Sequence, residues 1–99
     1  MDVIQAGVLG QLAGHAVAWV ASGSSISEIT SSSSLKMAGL AIASELSMMV
    51  IGVRGLYKYA PNVAQAGAIY VNRGIPSNPL TDPQAMGYVG SIAAKTLLV

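Results

Sequence analysis

One histidine, His15, and four carboxylates, Asp2, Glu28, Glu45 and Asp82, are the chain's whole supply of imidazole and carboxyl side chains. They are scattered too widely to give metal-ligand spacing. Cysteine is absent, which excludes thiolate catalysis, thiolate metal sites and disulfide staples. Serine is plentiful, but no G-x-S-x-G elbow surrounds any of it. Ser33-Ser34-Leu35-Lys36 matches Ser-x-x-Lys by letters only, inside a serine run and without the motifs that accompany such a nucleophile. Gly7, Gly10 and Gly14 lie within an apolar helical pattern and lack the preceding strand that a phosphate-binding loop requires. The inventory predicts a protein that is not an enzyme, takes no small-molecule substrate and needs no cofactor, with bound phospholipid or archaeal lipid as its one small-molecule companion.

Two ionisable residues interrupt apolar stretches. Glu45, flanked by Ser44 and Ser47, sits in the middle of residues 37–53, and a carboxylate at bilayer depth must be paired, protonated or turned toward water. The readings that stay open are a polar contact that sets register between subunits, with His15 or Arg54 of a neighbouring copy as partner, and a neutral, hydrogen-bonded acid, or a solvent-facing residue if the helix is not in lipid. His15 on the first apolar helix is expected to be a hydrogen-bonded interior histidine. Arg54, Lys58 and Arg73 follow the second apolar stretch with Tyr57 and Tyr59 between them. That mixture matches an interfacial aromatic belt and the positive-inside pattern, placing this end in the cytoplasm and the serine-rich segment outside. Repeated by assembly symmetry, the same cations would line a lumen or meet phosphate groups, since many copies supply the charge that one lacks.

The elements that must position these residues follow from composition and periodicity. With 53% hydrophobic and 9% charged residues and a mean hydropathy of +0.58, the 99-residue chain is far from the usage of soluble domains. Its net charge of +1 argues against a strongly electrostatic partner. No alternating run suggests a half-buried strand, so the expected fold is all-α, a single helical domain over residues 1–99. A helix over 3–22, long enough to cross a bilayer, leads to a serine-rich linker over 23–34. Within the linker Ser25 and Glu28 fit a capping box. A second apolar helix spans 35–60, kinking at Pro61 and continuing to 73, so that the two long helices form a hairpin. Residues 74–82 are irregular, and Thr81-Asp82-Pro83-Gln84 starts a last helix over 83–98. The start of the chain lacks the basic residues of a secretion signal and is read as part of the mature protein.

Small residues recur at four-residue spacing along both long helices: Ala6, Gly10, Gly14 and Ala18 in the first, Gly39, Ala43 and Ser47 in the second. Such stripes let helix backbones approach closely, which is how helices associate in lipid. They are expected to contact other copies, and Gly10→Leu or Gly14→Leu to block assembly while leaving membrane insertion intact.

A short chain with two apolar Gly/Ala-rich helices and cations just after the second resembles the pilins of conjugative type IV secretion systems, including their archaeal DNA-import relatives. The resemblance is architectural and covers residues 1–73. It implies a subunit that waits in the membrane and is extruded with lipid into an extracellular tubular filament, a homo-oligomer of many copies with DNA in transit, in which Arg54 and Lys58 face the lumen near lipid head groups. Two other readings stay open: the coat protein of a filamentous, bacilliform or spindle-shaped virus, and a small accessory subunit of an integral membrane complex.

Overall fold

Asp2 opens the first helix. Its carboxylate accepts from the Gln5 backbone N–H at 2.7 Å, while the Gln5 side chain accepts from the Asp2 N–H, so two otherwise orphaned donors are satisfied reciprocally. Gly23 closes the helix in the left-handed conformation, φ 69°, where glycine pays no steric penalty. Between them lies α1, Val3–Ser22. The computed structural model describes residues 1–51 and 55–99, and among these the chain is all-α, with no strand. The expected fold class is therefore the observed one.

The serine-rich segment is two capped turns. The Ser25–Glu28 capping box is present and starts α2, Ile26–Ile29. Ser31 caps α3, Ser32–Leu46, and the hydroxyls of Ser31 and Ser34 both donate to the Glu28 carbonyl at 2.7 Å. Local side-chain bonding thus extends helix to within a residue of Thr30, where a linker to residue 34 is expected.

The long second helix does not exist as one piece. α3 ends at Leu46, α4 covers Met48–Ile51, and a 3₁₀ turn runs over Gly55–Tyr59 before α5, Ala60–Arg73. Gly55 has φ 55°, a left-handed backbone that an α-helix cannot accommodate. A glycine in an apolar stretch is compatible with close helix packing and with a helix break alike, and Gly55 adopts the second. Pro61 falls in the first turn of α5, where its missing N–H leaves nothing unsatisfied, so it starts this helix and does not kink an older one.

α6, Pro83–Leu98, is the true partner of α1. A Cβ at Gly10 would overlap the Gly90 carbonyl, one at Gly14 would overlap the Met86 carbonyl and come within 2.8 Å of the Gly87 Cα, and one at Gly90 would overlap the Gly10 carbonyl. The two backbones therefore touch, antiparallel, through glycines on both sides. Ala6 and Ala18 on the same stripe are fully buried. The first stripe is thus spent within the chain, where the sequence suggests contacts between copies. Its hairpin partner is the C-terminal helix, not the second apolar stretch.

α5 lies antiparallel to α6 and is joined to it by polar contacts. Tyr59 meets Thr96 at 2.7 Å, Asn62 meets Lys95 at 2.8 Å, Tyr70 meets Tyr88, and Arg73 makes a forked contact with Asp82 at 2.9 and 3.2 Å. α3 packs more loosely, leaving a groove of about 400 Å³ against α5, floored by Met37, Leu40, Ala41, Ala64, Ala68 and Ile69. Asp82 also caps α6 by accepting from the Gln84 and Ala85 N–H groups, while the Thr81 hydroxyl donates to the Asn78 carbonyl. Asp82→Ala removes both a cap and an ion pair, and should lower stability by about 1–2 kcal/mol in a thermal or denaturant melt. Asp82→Asn, which keeps capping, should lose less.

α1 is the one helix among the described residues long and apolar enough to cross a membrane, and 44% of that window is buried inside the protein. The second membrane-length helix expected from the sequence is not found there.

Candidate functional site: a buried polar centre

Each of the four main helices sends polar side chains to one point. α1 contributes Gln11 and His15, α3 contributes Glu45, α5 contributes Asn62 and Gln65, and α6 contributes Ser91 and Lys95. All but Gln65 are about 1% exposed or less. Lys95 Nζ and Glu45 Oε2 lie 2.7 Å apart, with neither side chain exposed at all. Isolated charges at such depth would be prohibitively desolvated, so each requires the other and a set of hydrogen bonds.

The hydrogen bonds are present, but unevenly placed. Glu45 Oε1 accepts from Ser91 Oγ at 2.6 Å, Asn62 Nδ2 at 3.0 Å and Gln11 Nε2 at 3.2 Å. Oε2 has no hydrogen-bond partner among the described residues and faces Lys95 as a close ion-pair contact. Lys95 Nζ donates to the Asn62 Oδ1 at 2.8 Å and to the Lys58 carbonyl at 2.7 Å. The Gln11 and Gln65 side-chain amides exchange hydrogen bonds, Gln11 Nε2 donating to Gln65 Oε1 at 2.6 Å and Gln65 Nε2 to Gln11 Oε1 at 3.3 Å. Asn62 therefore bridges the pair, its amide nitrogen on Glu45 and its oxygen on Lys95.

Glycines make room for this centre. A Cβ at Gly7 would lie 2.8 Å from Glu45 Cδ and from Lys95 Cε, and one at Gly87 would press on His15 at 2.7 Å. His15 Nδ1 donates to the Gln11 carbonyl at 2.7 Å, leaving Nε2 buried without a partner among the described residues, and its ring stands edge-on to Trp19. No three His, Asp or Glu side chains converge among the described residues to hold a metal ion.

Of the residues singled out in the sequence, Glu45 and His15 are both interior. Glu45 pairs within its own chain with Lys95, whereas the expected partners were His15 or Arg54 of a neighbour. Lys95 was missed altogether. The available signal was that Gly87, Ser91 and Lys95 repeat at four-residue spacing, so the one cation of the last helix shares a face with its small residues. Gly39 and Ala43 are exposed and Ser47 half-buried, and no atom lies within 4 Å of where a Gly39 Cβ would stand. Arg73 is held by Asp82 at the surface. Lys58, half-buried, places Nζ 5.2 Å from the Tyr59 ring centroid; Arg54 lies outside the described residues.

At the Asp82 end, burial first, then the hydrogen bond and charge of Tyr70 and the charge of Asp82, push the Tyr88 phenol from the ordinary 10.0 to about 12. An unfolded chain releases this proton at lower pH than the folded one, so the contribution to stability is whole below pH 10.0 and disappears as pH rises through about 12. Tyr70→Phe should return the phenol toward its ordinary value, measured as tyrosinate absorbance against pH; an unchanged curve would leave burial and the Asp82 charge as the causes.

No known protein family, curated protein or solved structure matches this chain.

Proposed function

We propose that the chain is a structural subunit of a many-copy, lipid-associated assembly, of the kind formed by membrane-derived helical filaments. The observation that carries this reading is an inverted distribution of polarity. The fully buried side chains of greatest volume are Lys95, Met48, His15, Gln11 and Glu45, whereas Val50 is 91% exposed, Val71 86%, Val20 83% and Ile75 82%. A chain folded for water puts such residues the other way round. Apolar surface on this scale requires lipid or other subunits as its solvent.

The exposed α3 face of Leu35, Gly39, Leu40, Ala43 and Leu46 supports contacts between copies, because Ala43 is exposed and a Gly39 Cβ would meet no atom of the chain within 4 Å. Lys58, beside Tyr57 and Tyr59, is the described cation best suited to lipid head groups or to a lumen through which DNA passes. Arg73 is the weaker candidate, being already paired. The polar centre in this reading holds four helices in one register while their outer faces stay apolar.

Electron microscopy of material extracted from membranes in mild detergent, with lipid analysis of the same fraction, tests the proposal. Regular lipid-containing filaments are expected. A monodisperse monomer soluble without detergent would overturn it, and so would stoichiometric co-purification with a larger unlike subunit.

A further inference from the structure

We propose that Lys95 and Asn62 become joined by an intramolecular amide bond, with Glu45 as the group that moves the protons. Three features of the buried centre point to it together. The amine and the carboxamide already touch, Nζ to Oδ1 at 2.8 Å, so the carbon to be attacked is one bond beyond the atom contacted. Glu45 reaches both reacting nitrogens at once, with Oε2 2.7 Å from Lys95 Nζ and Oε1 3.0 Å from Asn62 Nδ2. And Oε2 is fully buried, with the Lys95 ammonium as its close partner among the described residues, so a proton leaving Nζ has this oxygen to go to.

Proton transfer from Nζ to Oε2 converts two buried charges into an amine and a carboxylic acid, relieving the desolvation that opposes the charged pair. The amine lone pair then attacks Asn62 Cγ, forming the C–N bond and placing negative charge on Oδ1. Collapse re-forms the carbonyl and breaks Cγ–Nδ2, and the bonding pair leaves on Nδ2. Glu45 relays two of the three original ammonium protons to that nitrogen, which departs as ammonium, and Glu45 ends as the carboxylate it began as. No oxidant, cofactor or external nucleophile enters the balance. Held reactants replace a bimolecular encounter, and the seal made by Gly7 over Glu45 and Lys95 keeps competing water away. The product ties α5 to α6 across 33 residues in a chain that has no cysteine for a disulfide.

Intact-mass spectrometry of the full chain, purified in detergent, reads the step directly. The wild-type chain is expected to be lighter than its sequence mass by one ammonia, and tryptic digestion to give a branched peptide joining residues 59–73 to 74–99 with no cleavage after Lys95. Glu45→Gln, Asn62→Ala and Lys95→Met should each show their full sequence mass. A full sequence mass for the wild-type chain overturns the proposal, whatever the variants do. An ammonia loss that persists in Lys95→Met overturns it as well, since that would be cyclisation of an asparagine on its own backbone.

Discussion

Glu45→Leu and Lys95→Met, made singly, are expected to destabilise the fold by about 3–5 kcal/mol each, and together by far less than the sum. The reason lies in what each change leaves behind. Without Glu45, the Lys95 charge keeps only two neutral acceptors, the Asn62 oxygen and the Lys58 carbonyl, and the donors of Ser91, Asn62 and Gln11 lose their common acceptor. Without Lys95, a fully buried carboxylate keeps three donors on Oε1 but has nothing opposite Oε2. The double variant removes both charges and fills similar volume with apolar atoms, so only the neutral donors remain to be satisfied. Denaturant unfolding of the four proteins in one detergent measures the coupling energy, and additive losses would show that the two groups act independently. Each of the three variants lacks an atom that the proposed amide needs. A wild-type chain that carries that bond has a cross-link none of the variants has, so the coupling energy is read against wild-type chain of full sequence mass, in which the Lys95–Glu45 pair is intact.

The sequence exposes the caps and hides the breaks. Asp82, Ser25 with Glu28, Gly23 and Gly74 mark helix ends because each acts on backbone groups a few residues away, and these ends stand where local chemistry puts them. The break ahead of α5 includes Gly55 in a left-handed backbone, and the same letter is equally consistent with a packing stripe. Which helix pairs with which is harder still. Gly10 needs a flat neighbour, and residues 39–47 and 87–91 both offer one; the backbone that meets it is that of the second. The lone acid Glu45 stands out in its apolar stretch, whereas the lone base of the last helix, Lys95, does not. Their partnership is a property of register between helices 50 residues apart in sequence, to which no local periodicity refers.

Glycine substitutions should separate folding from assembly, and not along the line drawn by the stripes alone. Gly10→Ala and Gly14→Ala drive a methyl into the α6 backbone, at the Gly90 and Met86 carbonyls, where neither neighbour is a flexible side-chain end. A loss of about 1–3 kcal/mol or more is expected, and Gly10→Leu or Gly14→Leu should fail to fold at all, instead of folding, inserting and failing only to assemble. Gly39 behaves oppositely. Its Cβ would meet open space within the chain, so Gly39→Ala should stabilise the isolated subunit by about 0.5–1 kcal/mol through its helix preference. Gly39→Leu should leave the subunit folded in detergent but abolish ordered assemblies, because a branched side chain would then stand between α3 and the adjoining copy. Thermal melting and electron microscopy on the same preparations resolve the two effects. Normal assemblies from Gly39→Leu would mean that α3 faces lipid, and the contacts between copies would have to come from elsewhere on the apolar surface.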